Sequence, residues 1–148
     1  MNVREIMTTT VKSCAPGTGL ADVARMMVEE DCGEIPVCDG GDRPIGVVTD
    51  RDIVCRVVAK GNNPLQLAAG DCMSSPVVTV APETTIEECT RLMEQYQVRR
   101  LPVVGQDGRC CGIVAQADLV RKLPRETSAQ TISRVSEPNV FASSVGGR

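Results

Sequence analysis

Apolar and polar positions alternate with two different periods along this chain. Leu20, Val23, Ala24 and Met27 recur at helical spacing, and so do Ile86, Cys89 and Met93, which predicts two amphipathic helices. Shorter apolar runs lie beside them. Val11 to Cys14 and Val77 to Val80 each end at Ala-Pro, as a strand leaving a sheet would. Ile35 to Cys38 and Ile45 to Thr49 flank the turn sequence DGGDR, and Leu101 to Val104 and Cys111 to Ala115 flank GQDGR; each set predicts a hairpin. A last helix is predicted from about Asp50 to Lys60, stopped by Gly61, and from about Gln116 to Leu123. Thr84 followed three residues later by Glu87 predicts a capping box for the helix of the second set, whereas Thr18 lacks the matching acid.

The order of elements is the same twice because the sequence is duplicated. Shifting the chain by 66 residues superposes Met7 on Met73, Ala15-Pro16 on Ala81-Pro82, Pro36-Val37 on Pro102-Val103, and Asp52 on Asp118. Residues 7–54 and 73–120 share 14 identities in 48 positions without a gap, where about three are expected from composition. Each copy reads β-α-β-β-α, an α+β unit of about 60 residues that buries little surface alone. Two copies packed sheet to sheet about a pseudo-twofold axis would solve that and leave a cleft for a ligand where they meet. The expected division is residues 1–61 for the first copy, 62–70 (NNPLQLAAG) for a connector, 71–123 for the second copy and 124–148 for a tail. That tail, rich in Ser and Thr, is expected to be flexible or to pack on a partner subunit.

Composition narrows the chemistry. The 148 residues carry 16 Lys and Arg against 19 Asp and Glu, with no His, no Trp, one Tyr and one Phe. A net charge of −3 argues against nucleic acid as a partner. The lack of His excludes imidazole metal ligands and every catalytic scheme built on that side chain. The core must be aliphatic, and the 21 valines favour strands. No apolar run approaches a membrane span, and the charged N-terminus MNVREIM does not read as a signal peptide. A cytoplasmic protein that avoids membranes is the expectation.

Eight cysteines stand out, but the duplication supplies a control. Cys14, Cys32, Cys38, Cys72, Cys89 and Cys111 lie opposite Val80, Val98, Val104, Ile6, Val23 and Ile45. Free buried cysteine behaves as a small hydrophobe, so these six read as core. Cys110 and Cys55 lie opposite Pro44 and Arg121 and could be exposed. A thiol-based redox or metal sensor using Cys55, Cys110 and Cys111 is therefore kept as an alternative.

The candidate chemistry sits where the second hairpin strand meets the last helix, at GVVTDRD (Gly46 to Asp52) and GIVAQAD (Gly112 to Asp118). Thr49 and Asp52 fit a helix cap, with Thr49 as N-cap and Asp52 at the third helical position. The same geometry suits a ligand: the carboxylate could accept hydrogen bonds from ribose hydroxyls, and Arg51 could add charge for phosphates. The second copy keeps the acid but has Ala115 and Ala117 in place of Thr49 and Arg51, so a second site should be weaker or differently selective. Arg99 and Arg100 replace Gly33 and Glu34 before the second Pro-Val strand, either as surface charges or as phosphate ligands.

Together the duplicated β-α-β-β-α pattern, the IPV and LPVV strands and the two Gly-to-Asp turns resemble a tandem pair of CBS domains, a Bateman module, over about residues 3 to 123. The resemblance implies a regulatory sensor of adenosine-containing molecules (AMP, ADP, ATP, NAD(H) or S-adenosylmethionine), with no catalytic residues and no required cofactor. It implies that Asp52 holds ribose while Thr49 assists at ribose or phosphate. Adenine would lie near Thr10, Val11, Glu34, Ile35 and Pro36. The counterparts are Pro76, Val77, Arg100, Leu101, Pro102 and Asp118, and Ala115 departs from the family pattern. Such modules pair into flat homodimers, and a ligand-free dimerising adaptor is a further alternative. On this reading Asp52→Ala should abolish nucleotide binding and leave the fold intact.

Overall fold

The computed structural model describes residues 1–124 together with Ile132, Ser133 and Val135. Apart from Pro124 and those three residues, the tail lies outside the described residues. A 3-10 turn at Val3–Glu5 comes first, then α1 (Leu20–Glu29), β1 (Glu34–Cys38), β2 (Pro44–Thr49), a short α2 (Asp50–Asp52) that runs into a π-helix (Ile53–Val58), a 3-10 turn (Pro64–Gln66), α3 (Ala69–Cys72), α4 (Ile86–Tyr96), β3 (Arg100–Val104), β4 (Cys110–Ala115) and α5 (Gln116–Lys122). The strands form two separate sheets, β1 with β2 and β3 with β4. In the first, an antiparallel register sets Ile35 opposite Val48 and Pro36 opposite Val47.

The chain divides into two compact units that do not follow the two copies as contiguous blocks. One unit contains Met1–Val11, Val78–Asp107 and the described residues from Cys111 onward; the other contains Lys12–Val77 with Gly108–Cys110. The segment ahead of each copy therefore folds with the hairpin of the other copy. Thr8 and Ile113 exchange backbone hydrogen bonds of 2.8 and 2.9 Å, and Ser74 and Val47 exchange bonds of 2.8 and 3.0 Å. The repeated glycine is what admits these segments. A Cβ on Gly112 would lie 2.8 Å from the Met7 sulfur and 2.9 Å from the Thr8 carbonyl oxygen, and one on Gly46 would meet Met73 and Ser74 at 2.9 Å. The connector is likewise part of its unit: Leu20 donates to the Leu67 carbonyl, and Ala69 and Gly70 donate to Thr18 and Pro16.

The first strand predicted in each copy is reduced to a single bridge, Cys14 to Val37 and Val80 to Val103. Cys14 donates to Pro36 O at 2.9 Å and receives Cys38 N–H at 2.8 Å; Val80 does the same with Pro102 and Val104. The next bond of a parallel ladder would need an N–H from Pro36 or Pro102, and proline has none. Pairing stops there for that reason.

Each unit has its own core. Leu20, Val23, Ile35, Val37, Val48, Val57 and Ala69 are almost wholly buried in one, with Cys14, Met27 and Cys72 beside them. Ile86, Cys89, Met93, Leu101, Val103, Val114 and Leu119 fill the other, together with Val3, Ile6 and Val135. Full burial of a Val or Leu contributes about 1.5–3 kcal/mol, so aliphatic side chains suffice without aromatic residues.

Two helix details depart from the sequence expectation. The N-cap of α4 is Thr85, whose hydroxyl accepts Glu88 N–H at 3.2 Å. Thr84 instead closes the Ala-Pro turn by accepting Ala81 N–H at 2.9 Å, as Thr18 does for Ala15 at 3.0 Å. The helix after β2 is α-helical for one turn only before it widens to π, whereas α5 in the second copy stays α.

Candidate functional site

In the unit built from the first copy, β2 ends at Thr49 and the helix begins at once. Thr49 is the N-cap: its hydroxyl accepts Asp52 N–H at 3.0 Å, and Asp52 Oδ2 accepts Thr49 N–H at 3.0 Å. The Asp52 carboxylate is buried, at 4% exposure. The Ser74 hydroxyl donates to it at 3.3 Å from each oxygen, and the Arg56 Nε lies 3.7 Å from Oδ1. Arg56 lies four residues on, about one helical turn from the acid. Arg56 also reaches the Cys72 and Met73 carbonyls at 3.5 and 3.4 Å. Asp52 thus ties the helix start, the Ser74 segment and the helix flank together.

The second copy repeats the acid with different neighbours. Asp118 is also 4% exposed, and its Oδ2 accepts Ala115 N–H at 2.8 Å. Ala115 has no hydroxyl to return the bond. The cation here is Arg121, whose guanidinium donates to Oδ1 at 2.6 Å. Residues three and four on both lie beside the acid in a helix; the i+3 position holds Cys55 in the first copy and Arg121 in the second, so the partner here sits one residue earlier than Arg56 does in its copy.

The remaining sequence candidates divide between the units. Glu34, Ile35, Pro36, Thr49, Arg51, Asp52, Pro76 and Val77 belong to one, and Thr10, Val11, Arg100, Leu101, Pro102 and Asp118 to the other. Pro76 and Val77 thus join the unit of Asp52, while Thr10 and Val11 end the N-terminal stretch of the unit of Asp118. Ile35 and Leu101 are 1% exposed, with side chains committed to the cores, so only their backbone is available to a ligand. Glu34 and Arg100 are half-buried at the strand starts, and Arg51 and Pro76 are exposed. Sequence reasoning missed Ser74, Arg56 and Arg121. The repeat did carry a sign of two of them: Ser74 lies opposite Thr8, another hydroxyl, and Arg56 opposite Lys122, another cation. The Asp52 carboxylate also has a structural role in this geometry, since it accepts from two half-buried donors, Thr49 N–H and the Ser74 hydroxyl, and lies beside the exposed Arg56.

The cysteines are all free thiols: Cys14, Cys38, Cys72 and Cys89 are buried, Cys32, Cys110 and Cys111 half-buried and Cys55 exposed. Burial pushes the Cys14 thiol up to about 11 and that of Cys89 up to about 12, and it raises Cys38 and Cys72 as well. Cys110 and Cys111 are neighbours on β4, so their side chains leave on opposite faces. Among the described residues no group of three or more Cys, Asp or Glu is placed to hold a metal ion.

With the fold and the two aspartate turns in place, the family follows. The CBS domain profile matches residues 3–59 and 69–125, and the chain belongs to the CBS-domain family as a tandem pair. It is 36% identical over 140 residues to hypoxic response protein 1 of Mycobacterium tuberculosis, spanning 95% of this chain and 97% of that protein. A CBS domain-containing protein of Bacillus subtilis, YhcV, is 34% identical across 94% of this chain and 98% of its own. Among solved structures, Hypoxic Response Protein I with two coordinated zinc ions superposes with a TM-score of 0.77 at 37% identity, covering 84% of this chain and all of that one. CBSX2 in complex with AMP gives a TM-score of 0.71 at 28% identity, covering 89% and 98%.

Proposed function

We propose that this chain is a regulatory module that binds an adenosine-containing ligand, catalyses nothing itself and works as a homodimer. The observation that carries the reading is the duplicated turn in which a buried aspartate at a strand-to-helix junction stands beside a cation, Asp52 with Arg56 and Asp118 with Arg121. A vicinal diol donates two hydrogen bonds to such a carboxylate. At Asp52 the place is held by the Ser74 hydroxyl, whose two 3.3 Å contacts are long for O–H to O and easily exchanged for a ribose hydroxyl. AMP bound to the related CBSX2 supports the ligand class. Exposed Val54 and Val58 on the π-helix and Val120 on α5 support a dimer surface.

Zinc, as held by the mycobacterial relative, does not fit the donor set of this chain. There is no histidine, and the described residues offer no cluster of ligands.

The test is thermal unfolding followed by circular dichroism, since the chain lacks Trp, with AMP, ATP, NADH and S-adenosylmethionine. A ligand at a hundred times its dissociation constant adds about 2.7 kcal/mol, roughly a 5–10 °C rise for a chain of this size. The rise should be lost or much reduced in Asp52→Asn or Asp118→Asn, which keep the side-chain shape. No shift with any of the four would overturn the reading.

A further inference from the structure

The two aspartate turns stand in opposite electrostatic surroundings. Within the first copy, positions 33, 34, 50, 51 and 52 read Gly, Glu, Asp, Arg and Asp, a net charge of −2; the equivalent positions 99, 100, 116, 117 and 118 read Arg, Arg, Gln, Ala and Asp, a net +1. Including the helix positions that supply the cation, Cys55 and Arg56 against Arg121 and Lys122, gives −1 against +3. The backbone frame beneath these charges is the same. Asp50 N–H donates to the Gly33 carbonyl at 2.9 Å, and Gln116 N–H donates to the Arg99 carbonyl at 2.8 Å.

The exchange of side chains on that frame is coupled. A Cβ built on Gly33 would lie 2.8 Å from Asp50 Oδ2 and 3.1 Å from Oδ1, so the Asp50 carboxylate fills the space in which the Arg99 side chain begins in the other copy. Asp50 is fixed there by Arg51 N–H at 2.8 Å. An anionic group approaching the start of α2 meets a carboxylate; one approaching the start of α5 meets the residues that carry two guanidinium groups. Neither Arg99 nor Arg100 is in an ion pair with an acid among the described residues. Asp118, the one acid of that set, is paired with Arg121 at 2.6 Å.

We infer that the two copies divide the ligand classes: the unit carrying Asp118 takes the phosphorylated nucleotide through Arg99 and Arg100, and the unit carrying Asp52 takes an adenosyl group without phosphate, neutral or cationic. The inference rests on the adenosyl reading above and takes the second of the two alternatives that the loss of Thr49 and Arg51 leaves open, a site differently selective rather than weaker. Charge-assisted contacts to phosphate outweigh a lost hydroxyl contact.

The experiment is calorimetric titration of the full chain with AMP, adenosine and S-adenosylmethionine, for the native sequence, Arg99→Gln with Arg100→Gln, Arg99→Lys with Arg100→Lys, and Asp50→Asn. The double Gln variant should weaken AMP at least about tenfold and leave adenosine and S-adenosylmethionine unchanged. The double Lys variant should keep most of the AMP affinity. Asp50→Asn should weaken S-adenosylmethionine and spare AMP at its stronger site. AMP binding that ignores the double Gln variant while adenosine compounds still bind overturns this inference and leaves the adenosyl reading standing. If none of the three compounds binds the native chain, both fall together. A circular dichroism melt of each variant guards the interpretation, and the Lys pair keeps the test decisive if the Gln pair unfolds.

Discussion

Removing the Asp52 carboxylate should cost the protein stability as well as ligand. The side chain accepts Thr49 N–H at 3.0 Å and the Ser74 hydroxyl at 3.3 Å in a site with 4% exposure. A donor stranded in a buried place costs about 1–3 kcal/mol, and Asp52→Ala strands one backbone amide, while the Ser74 hydroxyl can rotate away. The Arg56 contact adds little, because at 3.7 Å with the Arg side chain 47% exposed it is screened by water. The expected loss for Asp52→Ala is about 2–3 kcal/mol, against about 1 kcal/mol for Thr49→Ala, which removes only the N-cap acceptor of Asp52 N–H. The two changes break one reciprocal box, so the double variant should cost less than their sum. Urea unfolding followed by ellipticity at 222 nm measures all three. An Asp52→Ala protein within 0.5 kcal/mol of the native one, a threshold set by ordinary surface changes, would refute the reasoning and show the carboxylate to be held for ligand alone.

Other consequences are more local. Gly112→Ala and Gly46→Ala should each cost about 1–3 kcal/mol, because the added methyl would meet a backbone carbonyl at 2.9 Å that cannot turn aside as a side chain can. Gly40→Ala, with open space around it, is the control and should lie within about 0.5 kcal/mol of native by the same melts. Alkylation at pH 8 read by mass spectrometry should label the exposed Cys55 first and leave Cys14, Cys38, Cys72 and Cys89 unmodified until unfolding; early labelling of those four would revive a thiol sensor. Stability should also fall in alkaline solution. The thiols at Cys14 and Cys89 are raised in the fold to about 11 and about 12 from the ordinary 9.0, so the unfolded chain loses these protons first, and the stabilisation present below pH 9 is lost as pH rises through the folded values. A melting temperature that holds constant from pH 9 to 11 would contradict that sign.

What the sequence disclosed came chiefly from its duplication. Position-by-position comparison of the copies marked six cysteines as core, and the structure buries Cys14, Cys38, Cys72 and Cys89 and packs Cys32 and Cys111 against the cores. Periodicity found α1 and α4 through their apolar stripes and placed the four hairpin strands within one residue. It could not find that each copy borrows its neighbour's leading segment. Hydrophobic periodicity describes what a segment buries, and Met7 and Met73 are apolar whichever hairpin receives them. The clue was Gly46 and Gly112, conserved between the copies at positions where a methyl group would strike an incoming backbone. The lead-in strands are shorter than their apolar runs for a related reason: Pro36 and Pro102 belong to the strands they occupy and are also the missing donors for the strands beside them.

The same comparison explains why the site was half legible. Asp52 and Asp118 are identical between the copies, and identity pointed to them correctly as the fixed centre of each turn. Differences carry the rest. The cation sits at Arg56 in one copy and one residue earlier, at Arg121, in the other, because the position three residues after the aspartate holds Cys55 in the first and Arg121 in the second. Gly33 with Asp50 and Arg99 with Gln116 are each meaningless alone; only the structure shows that a carboxylate lies where an arginine side chain would start. A duplicated fold keeps the frame that holds an aspartate at a helix start, and is free to alter the residues around it in compensating pairs. The differences between the two turns are therefore written in exchanged pairs rather than in the residues they share.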